Sequence, residues 1–469
     1  MYYRPTDGVA ADVIPFYENG TYYLFYLKDY RDFARQGEGC PWHLLTTTDL
    51  VNYTDRGAVI LRGTPEEQDL YVFTGSVFKK DGIYYIFYTG HNPHFPYHDK
   101  PQQCILRAKS SDLLHWEKDT DFLLTAPQWY DRHEFRDPFI YFDEKKKQYI
   151  MLLAARELQG ASDRRGVTAY ATSSDLHSWQ FHKDHFYAPA SYFTHECPDF
   201  FKLGDWYYLL FSEFSDKIAT RYRMSKSPDG PWISPVQDTF DGHMFYAAKT
   251  CENSDGKRIL FGWNCIRNEE KDDGECQWGG TIIPHEIVQY NDGTLGVKCP
   301  QAIADYYSKP IEYLKEGAIG VFCENGTLKL GDRNSSSFIL YGGLPENCKI
   351  SAKIKVEKAG KDFGLLLRSN EDATQAYKIK FEPQYNRLVA SRVPFVKANV
   401  HCDVITERYL PVKDGDILNI IAIIEGSVLE VYVNGVATGV RMFDFKNRCW
   451  GFYAEYAEIS VTDISINIC

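Results

Sequence analysis

One turn-plus-strand pattern recurs five times in the first 300 residues of the chain. A polar or glycine-containing turn precedes an apolar run of strand length at residues 18–27, 80–90, 145–155, 203–213 and 254–264. Five units of roughly 50–65 residues, each supplying about four strands, are typical of a β-propeller. A parallel α/β protein would need a helical pattern after every strand, and the sequence shows no such pattern.

A second element recurs at similar spacing, in which Ser or Thr residues precede Asp-Leu and then an aromatic residue. Its clear copies carry Asp49, Asp112 and Asp175, which are evenly spaced along the chain. We expect each aspartate to accept hydrogen bonds from turn amides where a hairpin leads to the outer strand of its unit.

These patterns predict an all-β chain with a five-bladed β-propeller over residues 1–300 and a β-sandwich over residues 319–469. Residues 301–318 contain the one helix-like stretch and are interpreted as a linker. In the C-terminal region, short apolar or alternating runs are broken by Gly, Asn and Asp, as in a sandwich.

The composition excludes several classes of partner. A net charge of −12 disfavours nucleic acid and anionic membranes, because neither phosphate surface attracts an acidic protein. No apolar run is long enough for a membrane span, and the N-terminus lacks signal-peptide features, which predicts a cytoplasmic protein, or a secreted one if a leader was removed. The 12 cysteines are scattered without a C-x-x-C pair, so we expect reduced thiols and neither a metal nor another cofactor.

Carboxylates stand near the start of the first strand in three of the five repeat units. They are Asp12, Asp137 and Glu196. First strands face the central channel of a propeller, so acids at equivalent positions would converge at one channel mouth, and their repulsion would raise the pKa of at least one. Glycoside hydrolysis needs one ionised and one protonated carboxylate, so the set predicts a hydrolase that acts on a small carbohydrate or oligosaccharide.

Further motifs follow in order through the same region. They are VFTGSVFKKDG (72–82), FRDP (135–138), ECPDFF (196–201), MFYAAKT (244–250) and QWGGTIIPHEI (277–287). They are similar to the F-S-G-S, R-D-P, E-C-P, D-F-Y-A-A-Q-T and W-x-G-x-x-x-L-P-R-E segments of glycoside hydrolase family 32, the invertase, inulinase and levanase group. The C-terminal region resembles the sandwich of that family in pattern only.

The resemblance implies a retaining enzyme that cleaves terminal β-fructofuranosidic bonds. Asp12 would be the nucleophile, Asp137 the transition-state stabiliser and Glu196 the general acid/base. Two ionised aspartates would stabilise a cationic transition state, whereas Glu196 must start protonated and is expected in the drier part of the pocket. The candidate sugar-binding residues are Arg136, Trp42, Phe73, Thr74, Ser76, Tyr246 and Trp263.

Arg136 is also a candidate ion-pair partner for a neighbouring acid, and Cys197 is interpreted as a packing residue.

The first family motif, W-M-N-D-P-N-G followed by F-Y-Q, is the most altered in this chain. Asp12 is kept, but Ala11 and Ile14 stand at the two Asn positions and Leu27 stands at the Gln position. In the family these amides bind sugar hydroxyls, which apolar side chains cannot do. We therefore expect sucrose to be a poorer substrate than a fructan fragment.

Alternatives remain open at this stage. Asp29 or Asn19 could supply the lost contacts, and Asp7 is a second candidate for the nucleophile. The same fold and acid set would suit an inverting, family 43-like arabinofuranosidase or xylosidase. A non-catalytic carbohydrate-binding propeller is a third interpretation, although a binding protein need not keep three mutually repelling acids.

Overall fold

The computed structural model describes residues 1–393 and 404–469. The chain forms two compact units. Unit 1 consists of Met1–Thr239, Met244–Cys265 and Trp278–Leu295, and unit 2 of Phe240–His243, Ile266–Gln277 and Gly296–Cys469. In the described ranges, none of the helices has the length and apolar character needed to cross a bilayer.

Unit 1 is a five-bladed β-propeller, which confirms the predicted fold class. Blade 1 contains β1 (Val9–Glu18), β2 (Thr21–Asp29), β3 (Trp42–Thr47) and β4 (Thr54–Ile60), with helix α1 (Phe33–Gln36) between β2 and β3. Blade 2 contains β5 (Tyr71–Lys80), β6 (Ile83–His91), β7 (Gln103–Ser110) and β8 (Glu117–Leu124). Blade 3 contains β9 (Tyr130–Asp143), β10 (Gln148–Glu157), β11 (Gly166–Ser173) and β12 (Gln180–Phe181).

The last two blades complete the ring. Blade 4 contains β13 (Glu196–Leu203), β14 (Trp206–Glu213) and β15 (Ala219–Ser225), and blade 5 contains β16 (Phe245–Glu252), β17 (Arg258–Arg267), β18 (Cys276–Gln289) and β19 (Leu295–Lys298). Single 3-10 turns lie at Phe95–His98, Ser162–Arg164 and Asn268–Glu270. Ala10 of β1 pairs with Gly280 of β18, so the first blade is joined to the last. Ring closure of this kind protects the strand edges that an open sheet would expose.

The repeated apolar runs form the second strand of each blade. Neighbouring blades pack face to face, so these strands are covered on both sides and need not alternate with polar residues. Ile150 and Leu152 of blade 3, for example, pack with Phe200, Leu209 and Phe211 of blade 4.

The three Asp-Leu elements close the hairpins as predicted. The Oδ1 atom of Asp49 accepts hydrogen bonds from the amides of Val51 (2.9 Å) and Asn52 (2.8 Å). Asp112 and Asp175 accept equivalent pairs at 2.8–2.9 Å in their own blades. One local sequence therefore builds the same turn three times.

Unit 2 is a β-sandwich. Its helix α2 (Gln301–Tyr306) is followed by β20 (Lys309–Pro310), β21 (Lys315–Ile319), β22 (Val321–Glu324), β23 (Thr327–Leu330), β24 (Ser336–Tyr341), β25 (Asn347–Lys358), β26 (Asp362–Ser369) and β27 (Ala376–Glu382). The remaining strands are β28 (Arg387–Val393), β29 (Val404–Tyr409), β30 (Ile417–Glu425), β31 (Val428–Val433), β32 (Val436–Arg441), β33 (Cys449–Glu455) and β34 (Glu458–Ile468), with a 3-10 turn at Pro383–Tyr385.

The two sheets of the sandwich enclose one apolar core. One sheet has the order β22-β23-β34-β25-β30-β31-β32, with β20 beside β34, and the other has the order β21-β24-β33-β26-β27-β28-β29. The inward residues of β25 alternate with outward ones, and Ile350, Ile354 and Val356 are fully buried. The predicted linker contributes to these sheets, because β20 pairs with β34 and β21 pairs with β24. The domain limits 1–300 and 319–469 stay a prediction.

Candidate active site

The first strand of every blade carries a β-bulge. The strand register shifts in β1, β5, β9, β13 and β16 where an extra residue interrupts the pairing with the second strand, and β9 has a further shift nearer its start. The residues at these bulges are Asp12, Thr74, Asp137, Cys197 and Ala247. Bulges redirect side chains and are frequent next to active sites. The five blades thus present one residue each at an equivalent place, and two of the five are acids.

Glu196 does not occupy the position equivalent to the two aspartates. It lies one residue before the bulge of β13, whereas Cys197 takes the place that Asp137 has in β9. Asp137 and Cys197 share a left-handed backbone, with φ of +61° and +50°. The expectation of three acids at equivalent positions is therefore wrong, since Glu196 is equivalent to Arg136. Side chains at the bulge, such as Asp137, and side chains one residue before it, such as Glu196, both reach the channel mouth. Both positions therefore contribute acids to the site.

One pocket of about 210 Å³ nevertheless brings the three acids together. Its lining includes seven residues that the sequence singled out: Asp12, Phe73, Thr74, Arg136, Asp137, Glu196 and Tyr246. It also includes five that the sequence did not: His91, Gln102, Gln103, Glu134 and Trp278.

Asp12 is held by donors on both carboxylate oxygens. The indole Nε1 of Trp263 donates to Oδ1 at 3.0 Å, and the hydroxyl of Thr74 donates to Oδ2. The Cys197 thiol lies 3.7 Å from the same Oδ2. Burial and the neighbouring carboxylates raise the pKa of this thiol well above its usual value, so Cys197 is a neutral packing residue beneath the acids.

Asp137 is the most deeply buried of the three acids, with 3 % of its surface exposed. Its Oδ2 accepts a hydrogen bond from the Cys197 amide at 2.8 Å, and its own amide donates to the Thr89 hydroxyl at 2.7 Å. The pKa of Asp137 is raised to about 7, chiefly by burial and also by the Glu196 and Asp12 carboxylates, while the Arg136 cation and the hydrogen bond from the Cys197 amide oppose the shift. A raised pKa among the crowded acids was predicted, and it falls on Asp137.

Glu196 is paired with Arg136 and Tyr246. Arg136 Nη2 donates to Oε1 at 2.9 Å, and the Tyr246 hydroxyl donates to Oε2 at 2.5 Å. The Glu196 side chain is 20 % exposed, against 8 % for the Asp12 residue. The expectation that Glu196 lies in the drier part of the pocket is therefore wrong, because it sits at the first residue of β13, nearer solvent than the bulge positions.

Arg136 bridges two carboxylates, which confirms the predicted ion pair. In addition to Glu196, its Nη1 donates to Glu134 and, at 3.2 Å, to the Gln103 side chain. The guanidinium is nearly buried, with 8 % of its side chain exposed. A single cation thus serves two acids of the pocket.

Two proposed sugar-binding residues stand behind the pocket wall. Trp42 is fully buried, and its Nε1 donates to the Phe73 carbonyl at 3.2 Å. The Ser76 hydroxyl accepts a hydrogen bond from the Ile140 amide at 3.1 Å. Both side chains are engaged in contacts between blades, Trp42 of β3 with β5 and Ser76 of β5 with β9, so they support the wall and do not line it. Trp263 does not line the pocket and contacts the site through its bond to Asp12 and through its ring, which lies 5.4 Å from that of Tyr246.

The residues at the altered motif lie in the core of blade 1. Ala11, Ile14 and Leu27 are at most 1 % exposed, and none lines the pocket. Asn19 lies at the far end of β1, seven residues from Asp12, or roughly 23 Å at 3.3 Å per residue, which is too far to replace a lost contact. Asp7 is likewise removed from the site, because it pairs with Lys28 at 2.6 Å and its side chain is 55 % exposed.

Blades 2 and 3 contribute further polar side chains to the lining of the pocket. His91 stacks on Phe73 with ring centroids 4.6 Å apart, and Gln102 and Gln103 lie 3.4–3.5 Å from its ring nitrogens. Burial, aided by Arg136, lowers the pKa of His91 to about 3, so this ring is neutral at physiological pH. In the sequence, these pocket residues are visible only as the adjacent glutamines Gln102 and Gln103 and as Glu134 next to FRDP. Neither feature belongs to a repeated pattern, so the sequence did not identify them.

Comparison with known proteins identifies the family. The N-terminal domain of glycosyl hydrolases family 32 matches residues 5–296, and the C-terminal domain of that family matches residues 325–463. The chain belongs to glycosyl hydrolase family 32. The resemblance inferred from the motifs is thereby confirmed.

Individual members of family 32 are similar to the chain at moderate identity. The raffinose invertase of Escherichia coli is 28% identical over 300 residues, which are 60% of this chain and 59% of that enzyme. The chain thus matches about three fifths of the length of this relative.

Solved structures of family 32 share the fold. The sucrose-6-phosphate hydrolase from Lactobacillus gasseri has a TM-score of 0.73 at 19% identity, covering 100% of this chain and 92% of that one. The fructan 1-exohydrolase IIa from Cichorium intybus has a TM-score of 0.75 at 16% identity, covering 100% and 97%. A propeller and a sandwich are therefore common to all three chains.

Proposed function

We propose that this chain hydrolyses terminal β-fructofuranosidic bonds in sucrose-type or fructan-type substrates with retention of configuration. The observation that supports the proposal is the convergence of Asp12, Asp137 and Glu196 in one pocket of a family 32 propeller. Three carboxylates in so small a volume repel one another, which is unfavourable for stability and useful for acid–base chemistry.

Asp12 is the proposed nucleophile. Its carboxylate attacks the anomeric carbon of the fructosyl unit, the bond to the leaving oxygen breaks, and a covalent fructosyl-enzyme forms. Trp263 and Thr74 donate to the two oxygens of Asp12 and fix their direction before the attack. Such fixed donors lower the reorganisation that the reaction requires.

Glu196 is the proposed general acid and base. It gives its proton to the leaving oxygen in the first step, then takes a proton from the water that attacks the fructosyl-enzyme in the second. Tyr246 donates to Glu196 and sets the orientation of its carboxyl group. Asp137, ionised during the reaction, stabilises positive charge on the sugar ring.

The proton that the reaction needs on Glu196 is favoured on a different carboxyl in the substrate-free site. Arg136 pairs with Glu196, whereas burial favours a proton on Asp137. We infer that sugar hydroxyls engage Arg136 and Asp137 on binding, and that Glu196 supplies the proton in the reacting complex.

The proposal is tested by incubating the 469-residue chain with sucrose, raffinose, 1-kestose, inulin and levan while free fructose is measured. Proton NMR of the first-formed product should show the β-anomer, as double displacement requires. Aryl α-arabinofuranoside and aryl β-xyloside serve as controls for the family 43-like alternative. Release of an inverted pentose from these controls, without fructose from the panel, would replace the proposal. Sugar binding with no turnover would favour the non-catalytic propeller.

A further inference from the structure

A lysine is buried among the first strands of the propeller. Lys249 lies in β16, within the segment MFYAAKT, at the position where the family motif has Gln, and 2 % of its surface is exposed. It is not among the residues that line the catalytic pocket. Transfer of an ammonium group out of water is strongly unfavourable unless hydrogen bonds or opposite charges compensate it. The groups around Lys249 therefore decide whether it can stay charged.

The Lys249 side chain reaches two other blades. Its Nζ donates a hydrogen bond to the carbonyl oxygen of Pro198 in β13 at 2.6 Å, and it lies 5.1 Å from the centroid of the Phe139 ring in β9. Phe261 stands opposite it on β17. Among the described residues, Pro198 is the only hydrogen-bond acceptor of this ammonium group, which carries three N–H donors. Hydrogen bonding alone therefore does not compensate the burial of the charge.

Nearby acidic groups favour the charged form of the lysine. Burial lowers the pKa of Lys249, whereas Asp199, Cys197, Asp137 and Asp12 act to raise it. Three of these four groups are carboxylates, and they belong to the first strands of three different blades. Two of them are the proposed nucleophile and the proposed transition-state stabiliser. The lysine thus lies within electrostatic range of the charges that the reaction uses.

The main chain of β13 also connects Lys249 to the acids. Pro198 follows Cys197, whose amide donates a hydrogen bond to Asp137 Oδ2 at 2.8 Å. The Cys197 thiol lies 3.7 Å from Asp12 Oδ2. By holding the Pro198 carbonyl, Lys249 fixes the segment that contacts both aspartates.

We propose that Lys249 is a positioning residue that stays charged next to the catalytic pocket and favours the ionised forms of Asp12 and Asp137 during the reaction. The inference rests on the proposed function. Four carboxylates line the pocket, and its guanidinium, that of Arg136, is already engaged by two glutamates. The two aspartates therefore need a second cation, which the glutamine of the family motif could not supply.

Lys249→Gln tests the proposal, because glutamine keeps an N–H donor for the Pro198 carbonyl but removes the charge. We expect the acid limb of the kcat/KM profile for fructose release to move to higher pH by roughly 0.5–1 unit, since Asp12 and Asp137 lose a nearby cation. Lys249→Met removes the donor as well, so it should show the same shift and a lower maximum.

A matched control removes a lysine elsewhere in the propeller. The Lys118 ammonium group pairs with Asp69 at 2.5 Å on the outer strand β8, and neither residue lines the catalytic pocket. Lys118→Gln should leave the acid limb in place. An unmoved acid limb in Lys249→Gln would overturn the proposal, because the charge is then not used. A loss of kcat/KM that is equal at every pH would also overturn it, because the role of Lys249 is then structural.

A stability measurement separates this failure from failure of the proposed function, because it needs no turnover. The difference in Tm between the wild type and Asp137→Asn should depend on pH through the titration of Asp137. In a Lys249→Gln background, the same difference should change over a range roughly 0.5–1 pH unit higher. If this range is the same in both backgrounds, the proposal is wrong. If the range moves but the wild type releases no fructose, the proposed reaction is wrong and the coupling of Lys249 to Asp137 stands.

Discussion

Arg136 donates a hydrogen bond from Nη2 to Oε1 of Glu196 at 2.9 Å, so the candidate general acid is paired with a buried cation in the substrate-free site. Removing this partner should leave the Glu196 carboxyl without one of the two donors that orient it. We expect Arg136→Met to lower kcat/KM by roughly 10–100-fold, as measured by release of fructose. Arg136→Lys keeps the positive charge but not the bidentate geometry of the guanidinium. Its kcat/KM should lie between those of the wild type and of Arg136→Met. An unchanged kcat/KM in Arg136→Met would show that this ion pair does not position the acid.

Substrates with different leaving groups distinguish the roles of the three acids, because each variant should respond differently to the leaving group. Asp12→Ala should lower kcat by at least roughly 10⁴-fold on every substrate, because no other carboxylate can form the covalent bond. Glu196→Gln should lose most activity on sucrose but retain far more on a fructoside with an activated aryl leaving group, which needs no protonation. Asp137→Asn should be impaired on both substrates alike. If Asp137→Asn instead shows the leaving-group dependence, Asp137 is the acid and the assignments must be exchanged.

The raised pKa of Asp137 links activity to pH. Its folded-state value of about 7 lies above the ordinary value of 3.8, and the proposed role needs the ionised form. We therefore expect kcat/KM to fall as the pH drops below about 7. A profile that is flat from about pH 5 to 7 would mean that Asp137 is already ionised in the free enzyme or that its charge is not required.

The same shift affects stability. The folded chain holds the Asp137 proton more tightly than the unfolded chain, so the stabilisation is complete below 3.8 and is lost as the pH rises through about 7. Asp137→Asn cannot titrate, so the Tm of the wild type relative to the variant should fall by several degrees over this range. Comparing the two proteins by calorimetry at each pH cancels the titration of groups that do not interact with Asp137. A constant difference in Tm would contradict the shift.

Trp263 acts through Asp12. Its Nε1 lies 3.0 Å from Asp12 Oδ1, and its ring packs 5.4 Å from that of Tyr246. Trp263→Phe keeps an aromatic ring but removes the donor, and a hydrogen bond to a charged group is worth about 1.5–3 kcal/mol. We expect kcat to fall roughly 10–100-fold with a smaller change in KM, while thermal melting confirms a folded variant. A change confined to KM would indicate that Trp263 shapes the pocket and does not orient the nucleophile.

The charge of the pocket predicts a preference for uncharged substrates. Asp12, Glu134, Asp137 and Glu196 line it, whereas Arg136, its lining guanidinium, is engaged by two of these acids. We expect kcat/KM to be at least about tenfold lower for sucrose 6-phosphate than for sucrose, and the deficit to shrink at high salt, which screens the repulsion. Equal rates on the two sugars would reveal a cation that reaches the phosphate.

Substrate choice between sucrose and fructans remains a prediction from the altered first motif. We expect kcat/KM to be higher for inulin-type or levan-type oligosaccharides than for sucrose, because Ala11, Ile14 and Leu27 offer the fructosyl unit no hydrogen bonds. Efficient, selective hydrolysis of sucrose would show that His91 and Gln103, which face the pocket, restore the lost contacts.

The amino-acid sequence by itself determined the architecture and the identity of the acids. Turn residues followed by aromatic runs are local signals, and five copies of them are enough to predict five blades, as β2, β6 and β10 illustrate. Asp49 and its counterparts make bonds within a few residues, so their role could also be read from the chain.

The tertiary structure alone decided how the acids are arranged. The bulge in each first strand depends on pairing with a neighbouring strand, so no local pattern shows that Glu196 corresponds to Arg136 and Cys197 to Asp137. The burial that raises the pKa of Asp137, and that leaves Glu196 nearer solvent, depends on where five strands meet. His91 joins the pocket from a second strand, because contacts between residues far apart in sequence depend on blade packing, which local residue preferences do not specify.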